Sequence, residues 1–169
     1  MEIIVRLLRD GDPGIISRAF RDQGWNKPVD LYERYVREQR EGARVSLVAE
    51  ADGEFAGYVN VIWQSYYPPF LERGIPEIND FNVLIRFRRR GIGTKLMDEA
   101  ERIIGERCET AGIGVGLFSD YGPAQAMYVR RGFVPDARGV YKNGTVEPGQ
   151  SVVIDDDIAL YFTKPVRQR

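Results

Sequence analysis

The chain has 169 residues, 43% of them hydrophobic and 29% charged. This ordinary globular usage excludes a disordered or fibrous chain and fits a single domain. With 24 basic and 25 acidic residues the net charge is −1 and the pI is near 5.7, so neither nucleic acid nor an anionic membrane is an expected partner. There is no histidine and one cysteine, Cys108. That removes Ser-His-Asp and Cys-His catalysis, histidine-ligated zinc, intramolecular disulfides and multi-cysteine metal sites.

Met1 to Arg9 already carries Glu2, Arg6 and Arg9, so it lacks a signal-peptide core. No apolar run approaches the roughly 20 residues of a membrane span. A soluble, cytoplasmic protein is expected. Its chemistry falls to carboxylates, Tyr, Ser/Thr, Lys/Arg, Cys108 or backbone groups. Without a histidine partner Cys108 reads as a non-catalytic thiol.

Ile3 to Leu8 alternates as a first strand. Asp12 then serves as N-cap before Pro13 and a helix through Phe20. Gly24 closes it, Pro28 and Asp30 open a second helix with Leu31, Tyr35 and Val36 on one stripe, and Gly42 ends that. Val45 to Glu50 and Phe55 to Trp63 read as a hairpin turned at Asp52-Gly53. Gln64 to Pro76 reads as an aromatic, proline-rich loop. Ile78 to Ile85 is a strand that gives way to arginines and glycines. The next helix carries Leu96, Met97, Ala100, Ile103 and Ile104 on one face, with Asp98 and Arg102 as an exposed i,i+4 pair. Ile113 to Phe118 is a strand, and Gly112, Gly114 and Gly116 in or beside it signal a bulge or close backbone approach. Pro123 to Arg131 is a helix closed by Gly132. Ser151 to Ile154 with Ile158 to Phe162 reads as a last strand or hairpin. The order gives one mixed α/β (α+β) domain over residues 1–169.

The most informative stretch runs from Val83 to Thr94. It leaves a strand, passes Arg86, Arg88, Arg89 and Arg90, turns at Gly91 and Gly93, and enters an amphipathic helix. Helix N-termini carry free N–H groups and partial positive charge, glycines allow close approach, and guanidiniums add charge-assisted bonds. The segment suits a phosphate or pyrophosphate. It fits neither the G-x-x-x-x-G-K-[ST] loop nor the G-x-G-x-x-G fingerprint, because Gly93 is followed by Thr94-Lys95-Leu96, with no Gly-Lys pair and no third glycine. A glycine turn with a solvated basic face is the plain alternative.

Arg88-Arg-Arg-Gly91-Ile-Gly93 resembles the R/Q-x-x-G-x-G/A signature of the GNAT acyltransferase superfamily. Downstream, Ala124-Gln-Ala-Met-Tyr128-Val-Arg-Arg-Gly132-Phe133 is similar to that family's A-x-x-x-Y-x-x-x-G-F helix. The two motifs stand in the family's order, and the element order resembles its fold over nearly the whole chain. The resemblance implies a mixed, mostly antiparallel central sheet with helices on both faces. It implies acetyl-CoA as acyl donor and an amine as acceptor, with no metal. Backbone groups near Val83 and Ile85 would bond the pantetheine arm. The amides of Arg88, Arg89, Arg90, Gly91, Ile92, Gly93 and Thr94 would cradle the pyrophosphate. Tyr128 would be the general acid for the leaving thiolate, against its reading as a core tyrosine. Glu77 aligns with a catalytic glutamate of some members. Strand alternation sends Glu77 and Asp80 to opposite faces, and Glu77 is the favoured base, directly or through water. One departure stands out: many members have asparagine where this chain has Tyr121, which puts that cofactor contact in doubt.

The implied function is N-acetyl transfer from acetyl-CoA to a primary amine by direct attack in a ternary complex. Near-neutral charge and the absence of tails or docking modules favour a small-molecule acceptor over a protein. Trp25, Trp63, Tyr66, Tyr67 and Phe70 are candidate pocket linings, although core packing explains such aromatics equally. The alternatives are a protein or peptide N-acetyltransferase and a non-catalytic CoA-binding regulator. Nucleic-acid binding through Arg86 to Arg90 ranks behind these. Homodimers through sheet edges occur in the family, and no residue here assigns one.

Overall fold

The computed structural model describes residues 1–167. Seven strands among them form one sheet: β1 (Ile3–Leu7), β2 (Arg44–Ala51), β3 (Glu54–Ile62), β4 (Glu77–Val83), β5 (Thr110–Gly116), β6 (Val134–Pro135) and β7 (Ala159–Pro165). Their order is β1-β2-β3-β4-β5-β7-β6. Every pairing is antiparallel except β4 with β5. Helices α1 (Asp12–Asp22) and α2 (Val29–Arg40) cover one face. On that face Phe20 meets Phe55 and Tyr58, and Tyr32 meets Tyr58. Helix α4 (Ile92–Gly105) covers the other, with Leu96, Met97, Ala100 and Ile104 fully buried. No helix among the described residues is long and apolar enough to cross a membrane.

The expected mixed sheet with helices on both faces is therefore present. The β2–β3 hairpin turns where expected, with Asp52 and Gly53 both at positive φ (49° and 82°), the backbone a tight two-residue hairpin needs. Asp12 does not cap α1. Its buried carboxylate accepts from Arg6 at 2.7 and 2.9 Å and from the Arg9 N–H at 2.7 Å, and so fastens the helix to β1. Arg102 turns to Glu99 and Glu106 rather than Asp98. Asp98 instead accepts from Arg131, which also reaches Glu101. These contacts hold α5 (Gly122–Arg130) beside α4.

Three segments depart from expectation. Residues 64–76 are not all loop: α3 (Pro68–Arg73) forms there. Two prolines pre-set its first turn, and Gly74 at φ 63° closes it. Second, β4 stops at Val83, and Ile85 starts a 3-10 turn, Ile85–Phe87. Third, residues 151–154 are not a strand. Lys142 Nζ takes the Val153 carbonyl (2.7 Å) and Asp155 (2.8 Å), so a side chain replaces the ladder bond there.

The β5 glycines make room for rings rather than for backbone. A Cβ on Gly112 would lie 2.2 Å from the Phe70 ring, one on Gly114 2.9 Å from Tyr161, and one on Gly116 2.3 Å from Tyr121. Phe70 of α3 joins Tyr67, Tyr141 and Tyr161 in a second apolar cluster over this strand, with Tyr67 stacked on Tyr161 at 3.7 Å. Gly112→Ala is expected to destabilise the fold by about 1–3 kcal/mol, the usual cost of overpacking. Urea unfolding measures it. Adding Phe70→Leu, which shortens the obstructing ring, should lessen the effect of the alanine.

Candidate functional site

Strand β4 organises the site because its two edges behave differently. Towards β5 it pairs only through Glu77 with Gly112 and Ile78 with Ile113. From Asn79 onward the two strands part, which opens a cleft between them. Towards β3 the pairing continues but slips: Asn60 faces Asn79, whereas Tyr58 faces Asn82. The extra residue is a β-bulge, with Asp80 at φ 45°.

The bulge overturns the alternation argument. Asn60 and Tyr58 share a face of β3, so their partners Asn79 and Asn82 share a face of β4 although three residues apart. Glu77 and Asp80 consequently both look towards the α1–α2 side. Asn79 Nδ2 donates to Glu77 Oε2 at 3.1 Å. Asn82 Nδ2 donates to Asp80 Oδ1 at 2.8 Å, while the Tyr35 and Tyr58 hydroxyls each donate to Asp80 Oδ2 at 2.7 Å. Lys27 Nζ lies 3.7 Å from Asp80 Oδ1. Sequence reasoning missed this tyrosine cage. The available signal was Tyr32 and Tyr35 on α2 facing Tyr58 on a neighbouring strand.

Glu77 is 4% exposed. The Ser65 hydroxyl donates to its Oε1 at 3.3 Å. Burial outweighs the Asn79 and Ser65 bonds and pushes its carboxyl up to about 7.

The loop after β4 leaves a run of backbone N–H groups free. Arg89 (φ 58°) and Gly91 (φ 84°) are both left-handed, a backbone arrangement that turns successive N–H groups inward. The Arg88 amide is used internally, on the Ile85 carbonyl at 3.2 Å, and the first helical bond runs from Lys95 to the Gly91 carbonyl. Between them, the amides of Arg89, Arg90, Gly91, Ile92, Gly93 and Thr94 have no acceptor among the described residues. The Ile92 side chain is buried, which fixes the start of α4. Gly93 is needed for packing: a Cβ there would meet Phe81 at 3.0 Å and Met127 at 3.2 Å.

The arginines divide by task. Arg86 pairs with Glu54 at 3.1 Å. Arg88 donates to the Val83 carbonyl at 3.3 Å and lies over Trp25. Arg89 and Arg90 are exposed and have no acidic partner among the described residues. Ile85, expected beside Val83, is off the strand, and its N–H donates to Gln23 Oε1 at 3.0 Å.

Tyr128 is 5% exposed and packs edge-on to Phe133 in the main core. Its hydroxyl has no hydrogen-bond partner among the described residues, yet it is not among their sealed, unpartnered polar atoms. Burial pushes its phenol well above the ordinary value. Tyr121 lays its ring over Gly116 and donates to Asp156 at 2.8 Å. Of the aromatic candidates, Phe70 is core, Trp63 sits under Arg107, Trp25 stacks on Phe20, and Tyr66 is exposed. Tyr67 both packs and borders a cavity.

The model of the "Acetyltransferase (GNAT) family" matches residues 14–133. No curated protein matches the chain. Solved structures share the fold at low identity. A GNAT-family protein from Desulfovibrio desulfuricans aligns with TM-score 0.74 and 16% identity, over 98% of this chain and 99% of that one. The ribosomal-protein-S18-alanine N-acetyltransferase from Escherichia coli aligns with TM-score 0.68 and 13% identity, over 99% and 96%. The protein yncA from Salmonella typhimurium, solved with its cofactor acetyl-CoA, aligns with TM-score 0.67 and 18% identity, over 99% and 95%. With the family model covering most of its length, this chain belongs to the GNAT acetyltransferases, enzymes that use acetyl-CoA as the acyl donor.

Proposed function

We propose that residues 1–169 act as a single domain that acetylates the primary amine of a small molecule within a ternary complex. The observation that carries this reading is the build of β4. One end leads into six unpaired amides, and the other holds a buried carboxyl poised near neutrality. The amides of Arg89 to Thr94 hold the pyrophosphate, with Arg89 and Arg90 adding charge. The unpaired edge of β4 up to Val83 bonds the pantetheine arm. Glu77 sits deep between Ser65 and Asn79, a setting that suits a small amine better than a folded polypeptide.

Glu77 takes a proton from the acceptor ammonium and leaves a neutral amine. The amine nitrogen attacks the thioester carbonyl, the C–N bond forms and the C–S bond breaks. The departing sulfur receives the Tyr128 phenolic proton. The acylated nitrogen sheds its extra proton to solvent, which also restores the Tyr128 proton and removes the one on Glu77. A base poised near the working pH maximises both its ionised fraction and its proton affinity. A phenol held protonated by burial remains a donor across the same range.

The test is turnover of acetyl-CoA with a panel of small amines and an unstructured peptide. Tyr128→Phe should lower kcat about a hundredfold or more while acetyl-CoA binding, read by calorimetry, persists. Faster turnover of the peptide than of every small amine would overturn the small-molecule reading. Glu77→Gln should remove the acidic limb of the kcat/KM profile near pH 7.

The same group sets a stability signature. Its folded pKa lies above its ordinary 4.5, so the native state holds the proton more tightly. The resulting stabilisation is full below about pH 4.5 and is lost as pH rises through about 7. At about 1.4 kcal/mol per tenfold in proton affinity, the loss is about 3 kcal/mol by pH 8. Glu77→Gln should therefore gain on the native protein in urea unfolding as pH rises from 5 to about 8. A constant difference would contradict the buried, raised carboxyl.

A further inference from the structure

Beyond Tyr67 the aromatic face opens into a cavity of about 550 Å³, bordered by Tyr67, Pro68, Pro69, Arg138, Tyr141 and Thr145. It is linked to Glu77 by a short relay. The Tyr67 N–H donates to Ser65 Oγ at 3.0 Å, and that hydroxyl donates to Glu77. Two walls are rigid. Pro68 and Pro69 fix the start of α3, and Tyr67 and Tyr141 meet edge-to-face at 5.0 Å.

Arg138 is the cation among the lining residues. Its backbone is held in place: its N–H donates to Asp136 Oδ1 at 3.0 Å, after Ala137 at φ 66°. Asp136 Oδ2 is taken by the Tyr67 hydroxyl at 2.7 Å. That carboxylate is thus spent on a hydroxyl and a backbone amide. Among the described residues the Arg138 guanidinium pairs with no acid. It lies close enough to Tyr67 to oppose the upward push of burial on that phenol. A pinned backbone, a free planar fork, a hydroxyl at Thr145 and flat walls make a receptor for a carboxylate on a compact body.

We propose that this cavity binds a carboxylate carried by the acceptor, so that the acceptor is an amino acid-like zwitterion with its amine at Glu77 and its carboxylate on Arg138. This rests on the reading of Glu77 as the base of an amine acetyltransferase. A polyamine is disfavoured, because its second cation would meet Arg138.

Paired acceptors test the assignment: aliphatic and aromatic α-amino acids and ω-amino acids, each beside its carboxamide. The readouts are kcat and KM at saturating acetyl-CoA, and calorimetric binding of the N-acetylated carboxylates with CoA present. The preferred carboxylate should exceed its carboxamide about tenfold or more in kcat/KM. Arg138→Gln should bring that ratio close to one, chiefly through KM, and Arg138→Lys should keep part of it. Equal use of both members in every pair, or a preference untouched by Arg138→Gln, would overturn the proposal. If no amine turns over, but an acetylated carboxylate binds in an Arg138-dependent way, the cavity assignment stands and the catalytic reading falls. If nothing turns over and binding ignores Arg138, both fall.

Discussion

The β-bulge at Asp80 is the constraint on which the site depends. A non-glycine residue at φ 45° is strained by about 1–3 kcal/mol, and the strain persists because Asp80 is fastened by Tyr35, Tyr58 and Asn82. The fastening comes from three elements, α2, β3 and β4 itself. The extra residue sets Asn79 and Asn82 on the same face of β4, and Glu77 and Asp80 with them. It also falls where pairing with β5 ends, so the cleft and the polar face share an origin. Helix α2 helps to hold the bulge, which links the α1–α2 side of the sheet to the strand that leads into the Arg89–Thr94 loop.

A second constraint acts on β5. Glycine at 112, 114 and 116 strips one face of the strand beyond Thr110 of side chains, which alone would weaken it. Here Phe70, Tyr161 and Tyr121 occupy the vacated space. These rings come from α3, β7 and the turn before α5, so the glycines gather three distant segments over one strand. Tyr67, stacked on Tyr161 and bonded through its N–H to Ser65, carries that packing as far as Glu77. Core and site are continuous on this face of the sheet.

Legibility in the sequence follows from how local each cause is. The hairpin at Asp52-Gly53, the apolar stripe of α4 and the glycine entry at Gly91 each rest on a few neighbouring residues, and each was readable. The left-handed backbone at Arg89 and Gly91, with free amides after it, is likewise encoded by the loop itself. The bulge was not readable: strict alternation is the default for a strand, and the slip at Asp80 is enforced by tyrosines up to 45 positions away. The Pro68–Pro69 segment looked like a loop because proline breaks helices in their interiors, yet at the first turn it starts them. Asp98 and Arg102 show the same limit. Their spacing was right, but Glu99, Glu106 and Arg131 offered better partners.

Two carboxylates share the face beside the cleft, and their surroundings divide the work between them. Asp80 has both oxygens engaged, one by two phenols and one by an amide with an ammonium close by. Those contacts hold the bulge. Glu77 has weaker contacts, at 3.1 and 3.3 Å, and less water around it, so burial dominates and its proton affinity rises towards neutrality. On this division Asp80 shapes the strand, and the proton transfer proposed above falls to Glu77. The tyrosine cage is what keeps the two carboxylates distinct, since without it Asp80 would be a second free carboxylate on the same face as Glu77.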